Sequence, residues 1–201
     1  AGYGLNDFER THLVWLVLNW KLQVYRRPAS QEKIHIVTWS AGAEKVCSYR
    51  DYELYDENNK LIAIATSKWA LFNLKDGSLA KITPEIIEAY KTTDEHVFNE
   101  KIAKLREPDL PCLGTYDYTI MRRDIDTNNH VHNSNYLEIA NELLPEDIYE
   151  NTEFKYIEIM YKHESVYGDK TKSFYYNEDN VHYIVIKSED LSKIHCIIKF
   201  S

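Results

Sequence analysis

The chain reads the same way twice, and that internal likeness limits the folds open to it. Tyr25-Arg26-Arg27-Pro28, closing one β-type run, parallels Tyr161-Lys162-His163-Glu164 at the close of another. A few residues on, Glu32-Lys33 parallels Asp169-Lys170 to within about one position. In the first half, the runs Leu16 to Tyr25, Ile34 to Trp39, Val46 to Tyr55 and Leu61 to Phe72 predict strands. Asp56-Glu57-Asn58-Asn59, between the last two, has the composition of a hairpin turn. The second half supplies candidate strands at Thr115 to Met121, Phe154 to His163, Lys172 to Tyr176, Val181 to Lys187 and Ile194 to Phe200, with a helical stretch near Asn133 to Leu143. A repeated unit of helix plus antiparallel sheet, hence an α+β chain, is the simplest account.

Between the halves the pattern changes. Thr83-Pro84-Glu85 predicts a helix start, with Thr as N-cap, Pro in the first turn and an acid favoured by the helix dipole. That helix runs from Pro84 to Lys91, a second candidate runs from Glu95 to Leu105, and Pro108 and Pro111 end the segment. The expected division is therefore a first repeat over residues 1–73, a linker with short helices over 74–112, and a second repeat over 113–201. In the second half a strand and a long loop precede the helix. In the first half only about one helix length precedes the strands. The expectation is that the first strand and loop of repeat one lie upstream of Ala1.

Composition removes several classes. Sixteen Tyr and four Trp lie in β-type runs, which favours sheet over helix bundle. A net charge of −8 with no block of like charge argues against a nucleic-acid binder, whose affinity would rest on neutralising phosphates. No apolar stretch approaches spanning length and no leader pattern is visible, so the expectation is a soluble chain away from the membrane. Three cysteines, Cys47, Cys112 and Cys196, show no paired spacing, which argues against a disulfide scaffold or zinc ribbon. A reducing compartment, with the cytoplasm as default, follows.

The stretch from Arg122 to Tyr136 concentrates carboxylate, amide and imidazole groups between a strand and a helix. Such a junction can gather polar side chains at one point, while a helix N-terminus offers N–H groups to a developing oxyanion. The plainer reading is that Asn and Asp fill turns, Asn133 or Ser134 caps the helix, and His130 is a satisfied polar residue. His132 alternates with His130 and would point away in extended chain, so the pair makes a poor metal clamp. Asp124 reads as a turn residue.

The string Asp126-x-Asn128-x-His130-Val131-x-Asn133-x-x-Tyr136 resembles the signature of hot-dog-fold thioesterases. The fuller string from Asp124 to Val131 resembles the acyl-ACP thioesterase family of plants and bacteria. Trp15-Leu16-Val17-Leu18, Tyr25-Arg26-Arg27-Pro28, Thr38-Trp39 and Ser67-Lys68-Trp69 carry the likeness into the first half. The resemblance implies two tandem hot-dog repeats, each an antiparallel sheet wrapped around a central helix, with acyl-chain binding in the first and catalysis in the second. It implies hydrolysis of a fatty acyl thioester on acyl carrier protein, with no cofactor. By motif position the catalytic set falls on Asp126, Asn128, His130 and Glu164. Many plant members carry Cys directly after that Glu. Here it is Ser165, which removes a thiol nucleophile and favours carboxylate chemistry. Glu164 as general base toward water, with His130 and Asn128 positioning it and Asp126 orienting its neighbours, stands beside direct attack by Asp126.

The implied partner is acyl carrier protein with its phosphopantetheine-linked chain. Both proteins being acidic, a local basic patch is expected, drawn from Arg122, Arg123, Lys162, Lys170 and Lys172, with Arg26 and Arg27 at the equivalent place in repeat one. The sequence leaves a homodimer open. An acyl-CoA hydrolase of hot-dog fold and a non-catalytic acyl-binding module are the alternatives. Tandem repeats and Glu164 argue against the first, and the intact set of four polar residues against the second.

Overall fold

A computed structural model describes residues 2–4 and 7–201. The chain divides into two compact units, Ala1–Ala103 and Lys104–Ser201, so the boundary falls inside the expected linker.

Unit one opens with a single helical turn, α1 (Phe8–Thr11), followed by β1 (Leu13–Val24), β2 (His35–Glu44), β3 (Cys47–Tyr55), β4 (Leu61–Asn73), the short β5 (Ser78–Leu79) and α2 (Pro84–Ala89). The long strands are antiparallel in the order β2-β3-β4-β1. β4 is central, and its run of small and branched residues from Ile62 to Ala65 is buried. The β3–β4 hairpin forms where its composition placed it. The Asp56 carboxylate accepts the backbone N–H groups of Asn58 and Lys60, both at 2.9 Å, and Asn59 takes the left-handed conformation at φ 59°.

The second candidate helix, Glu95 to Leu105, does not form. The sheet claims its polar groups instead. Trp39 Nε1 donates to the Glu95 carbonyl at 3.0 Å, the Val97 N–H donates to Asp51 at 2.8 Å, and Lys21 lies 4.4 Å over the Phe98 ring while pairing with Glu100. Backbone groups spent on the sheet cannot close helical turns, and tertiary contacts outweigh a weak helical propensity here.

Unit two contains β6 (Gly114–Thr119), α3 (Asn135–Asn141), α4 (Glu146–Asn151), β7 (Tyr156–Tyr161), β8 (Lys170–Glu178), β9 (Val181–Ser188) and β10 (Ile194–Phe200). Its strands are antiparallel in the order β6-β8-β9-β10-β7. Matching β7 with β1, β8 with β2, β9 with β3 and β10 with β4 makes the two orders coincide. Unit one has no counterpart of β6 or its loop among the described residues. One face of the unit-two sheet packs Met160, Val185 and Ile197 against Leu105, and the other buries Ile184, Ile186, Cys196 and Ile198. Both faces being covered explains why β10 reads as a continuous apolar run instead of alternating. α3 contributes Tyr136, Ile139 and Ala140 to the interior and contacts β10.

Just past β1, Arg26 donates to both oxygens of Glu32, at 2.5 and 2.9 Å, and to Asp56 at 3.1 Å. The guanidinium, aided by the Ala29 N–H, holds the Glu32 carboxyl at about 2, against an ordinary value of 4.5. A folded-state pKa below the unfolded one stabilises fully above the unfolded value and is lost as pH falls through the folded value. Unit one should therefore lose stability between about pH 4.5 and about pH 2. Glu32→Gln should flatten that part of the curve, as read from thermal unfolding at stepped pH.

Candidate active site

The loop between β6 and α3 is built by a sequence of local hydrogen bonds. Arg122–Asp124 forms a single 3-10 turn, and buried Asp124 accepts the Tyr118 hydroxyl at 2.8 Å and the Met121 N–H at 2.7 Å. Its carbonyl accepts the His132 N–H at 2.8 Å. Asp124 is thus the anchor of the loop, in keeping with its turn reading. The chain then doubles back. The Asp126 N–H donates to the His130 carbonyl at 2.8 Å, Asn129 N–H donates to the Asp126 carbonyl at 3.1 Å, and Ile125 bridges Val131. Asn129 makes the reversal in the left-handed conformation, at φ 65°.

Inside this turn the Asp126 carboxylate organises its neighbours. One oxygen accepts the backbone N–H of Asn128 at 2.7 Å and of His130 at 3.3 Å, and the other accepts the Asn128 amide at 3.3 Å. Partial burial opposes the charge. The backbone donors of Asn128 and His130, the Asn128 side chain and the nearby imidazole outweigh it, and the Asp126 pKa is lowered.

His130 Nε2 lies 3.5 Å from Glu164 Oε2. Glu164 follows β7, where the ladder to β10 has ended at Tyr161. The Val131 N–H donates to the Ser165 carbonyl at 2.9 Å, which lays the loop against the chain beyond β7. All four sequence-predicted residues therefore stand in one region, as a turn Asp126–Asn128–His130 facing Glu164. Glu164 is the most open of the ionisable members, with 72% of its side chain exposed against 40% for His130.

Other expected contributors take different places. Several donors at the α3 N-terminus are already taken. Ser134 N–H donates to His132 Nδ1, Asn135 N–H to the His132 carbonyl and Leu137 N–H to the Ser134 carbonyl. Ser134 holds the N-cap position without a side-chain cap bond. His132 turns to Ser134 and remains outside the cluster. Motif residues Asn133 and Tyr136 are structural. The Tyr161 hydroxyl donates to the Asn133 carbonyl at 3.0 Å, and buried Tyr136 packs 5.9 Å from the Tyr161 ring. Burial raises the Tyr136 phenol to about 12. Of the basic candidates, Lys170 pairs with Glu189, Lys172 with Asp117 and Arg123 with Asp124, while Arg122 stacks over Tyr167. Lys162 makes no ion pair among the described residues.

Sequence reasoning did not single out His195. It is 5% exposed, with Nδ1 2.9 Å from Ser165 Oγ and 3.1 Å from the His163 carbonyl. The available signal was a lone imidazole in the apolar run Ile194 to Ile198.

An antiparallel sheet over a short helix, with an acid, an amide and an imidazole on the loop between them, defines a hot-dog-fold protein with a polar loop leading into its helix. The sequence pattern of the acyl-ACP thioesterase N-terminal domain matches residues 1–90 and that of the C-terminal domain matches residues 114–199. The chain belongs to the acyl-ACP thioesterase family. It is 28% identical over 188 residues to oleoyl-acyl carrier protein thioesterase 2, chloroplastic, of Arabidopsis thaliana, covering 84% of this chain and 50% of that protein. The oleoyl-acyl carrier protein thioesterase, chloroplastic, of Coriandrum sativum is 27% identical over 192 residues, covering 86% and 51%. The chain thus spans about half the length of these curated relatives. Among solved structures, an acyl-ACP thioesterase from Bacteroides thetaiotaomicron superposes with a TM-score of 0.87 at 24% identity, covering 99% of this chain and 80% of that one. The 12:0-ACP thioesterase from Umbellularia californica gives 0.85 at 19%, covering 100% and 78%. These last two likenesses establish the fold.

Asp126→Ala removes the acceptor that closes the loop. Hydrogen bonds to a charged group contribute about 1.5–3 kcal/mol each. Amide exchange at Asn128 and His130 should accelerate by about tenfold or more on that basis, with Ile184 and Ile197 unaffected. Hydrogen exchange followed by NMR reads both.

Proposed function

We propose that this chain hydrolyses a fatty acyl thioester carried on acyl carrier protein, releasing the free fatty acid and the holo carrier. The observation that carries the reading is the placement of Glu164 against His130. Membership of the family and the tandem units support it.

The two candidate carboxylates differ in a way that favours Glu164 as the base. Asp126 has both oxygens engaged by three donors and keeps its charge. It is spent on holding the turn. Glu164 has one oxygen beside His130 and the other without a hydrogen-bond partner among the described residues, open to water. In the proposed reaction Glu164 takes a proton from water as the water oxygen attacks the thioester carbonyl carbon. His130 and Asn128 orient that water or polarise the carbonyl. The tetrahedral intermediate collapses with cleavage of the C–S bond, and the proton held by Glu164 passes to the leaving sulfur. Free acid and thiol result.

The free thiols Cys47, Cys112 and Cys196 support a reducing location, for which the cytoplasm is our proposal, while the named plant relatives are chloroplastic. Carrier recognition by a basic patch remains part of the proposal. Lys162 and Arg122, which form no close ion pair among the described residues, are its best-supported members.

Thiol release from a panel of acyl-ACP and acyl-CoA substrates tests the function. Turnover of acyl-ACP in preference to acyl-CoA is expected, with Glu164→Gln lowering kcat by about a hundredfold or more, the usual scale for loss of a general base. Near-normal turnover by that variant would rule out Glu164 as base, and preference for acyl-CoA would move the chain to the other hydrolase class. Rising salt should slow hydrolysis of carrier-bound substrate and leave a small thioester analogue nearly unaffected. Equal responses would remove the patch.

A further inference from the structure

β10 pairs with β9 through a register shift between Ile194 and Cys196, so His195 sits in a β-bulge. A bulge re-aims one side chain out of the alternating pattern, and such irregularities gather beside active sites. Here the re-aimed imidazole comes to rest under the chain on both sides of Glu164. Its Nδ1 lies 3.1 Å from the carbonyl of His163, the residue before, and 2.9 Å from the hydroxyl of Ser165, the residue after. The His195 carbonyl accepts the N–H of Lys162 at 2.9 Å and of His163 at 3.4 Å.

The tautomer follows from these contacts. A carbonyl oxygen only accepts, so Nδ1 must carry the hydrogen for the His163 contact to be attractive. Ser165 is wholly buried with its hydroxyl against the His195 ring, so it is no nucleophile. Its hydroxyl and N–H face the buried phenol of Tyr136. Glu164 itself is held by none of this. Only its two neighbours are, which leaves the carboxylate free while fixing the backbone that aims it.

We propose that His195 is a positioning residue for the hydrolysis, fixing Glu164 opposite His130 by gripping His163 and Ser165 through one ring nitrogen. This rests on the thioesterase reading of Glu164. Misplacement of a reacting group by about 1 Å costs on the order of a hundredfold in rate. The loss should therefore appear in kcat, with KM little changed, because the imidazole touches no substrate.

Two substitutions separate positioning from mere packing. The amide nitrogen of Asn can stand near the place of Nδ1, whereas that of Gln reaches toward the place of Nε2. The test is acyl-ACP hydrolysis by wild type, His195→Asn, His195→Gln and Ser165→Ala, each with a thermal melt. His195→Asn should keep kcat within about threefold of wild type, and His195→Gln should lose about tenfold or more, both with KM within about twofold. Equal kcat in the Asn and Gln variants overturns the assignment. Should neither variant melt cooperatively, Ser165→Ala decides. A severalfold loss of kcat at constant KM upholds the grip, and unchanged kcat refutes it. Wild type silent on every thioester would defeat the thioesterase reading and this inference together. An active wild type with indifferent variants would defeat this inference alone.

Discussion

The site depends on one backbone hydrogen bond, from the N–H of Val131 to the carbonyl of Ser165. Both residues are buried, so the bond satisfies groups that would be costly to leave unpaired. Because 131 follows 130 and 165 follows 164, joining the first member of each pair's successor sets the catalytic candidates side by side. Everything else at the site refines this join. Asp126 shapes the turn that delivers His130, Asp124 roots that turn, and Tyr161 ties the start of α3 to β7 through the Asn133 carbonyl.

On the proposed reading, chemistry resides in the second unit, and the two units differ at the matching corner. In unit one the N–H groups of Tyr25 and Arg26 share the Ile62 carbonyl as those of Lys162 and His163 share the His195 carbonyl in unit two, so Arg27 stands in place of Glu164. Arg26, just before it, is committed to Glu32 and Asp56. The same corner of the fold is a closed ion-pair network in one unit and an open carboxylate in the other. Pro28, at the place of Ser165, fixes its own backbone angle, so rigidity that unit two draws from the hydrogen bonds of Ser165 comes to unit one covalently.

Much of this was legible in the amino-acid order. The long β-type runs, the Asp56 to Asn59 turn and the helix at Pro84 could be placed because each depends on local pattern, while Asp126, Asn128, His130 and Glu164 were singled out through the family resemblance. The Glu95 to Leu105 segment could not. Its conformation is set by Trp39, Asp51 and Lys21, distant in sequence, which claim its polar groups and one ring. The α3 N-terminus offers fewer donors than its position in sequence suggests, since local turns take the N–H groups of Ser134, Asn135 and Leu137. His195 was invisible to period-two reasoning because a bulge breaks the period it relies on.

That bulge also makes the molecule unevenly tolerant of changes in chain length. The turn from Glu189 to Lys193 lies at the surface, where added residues can be absorbed by a wider loop. Between Ile194 and Cys196 there is no such slack. Removing the one extra residue there would let Ile194 and Cys196 pair with adjacent Lys187 and Ile186 in an unbroken ladder, and the side chain that the bulge aims beneath Glu164 would be lost. Evolution can lengthen this hairpin at its tip, but at its root it is held to a count.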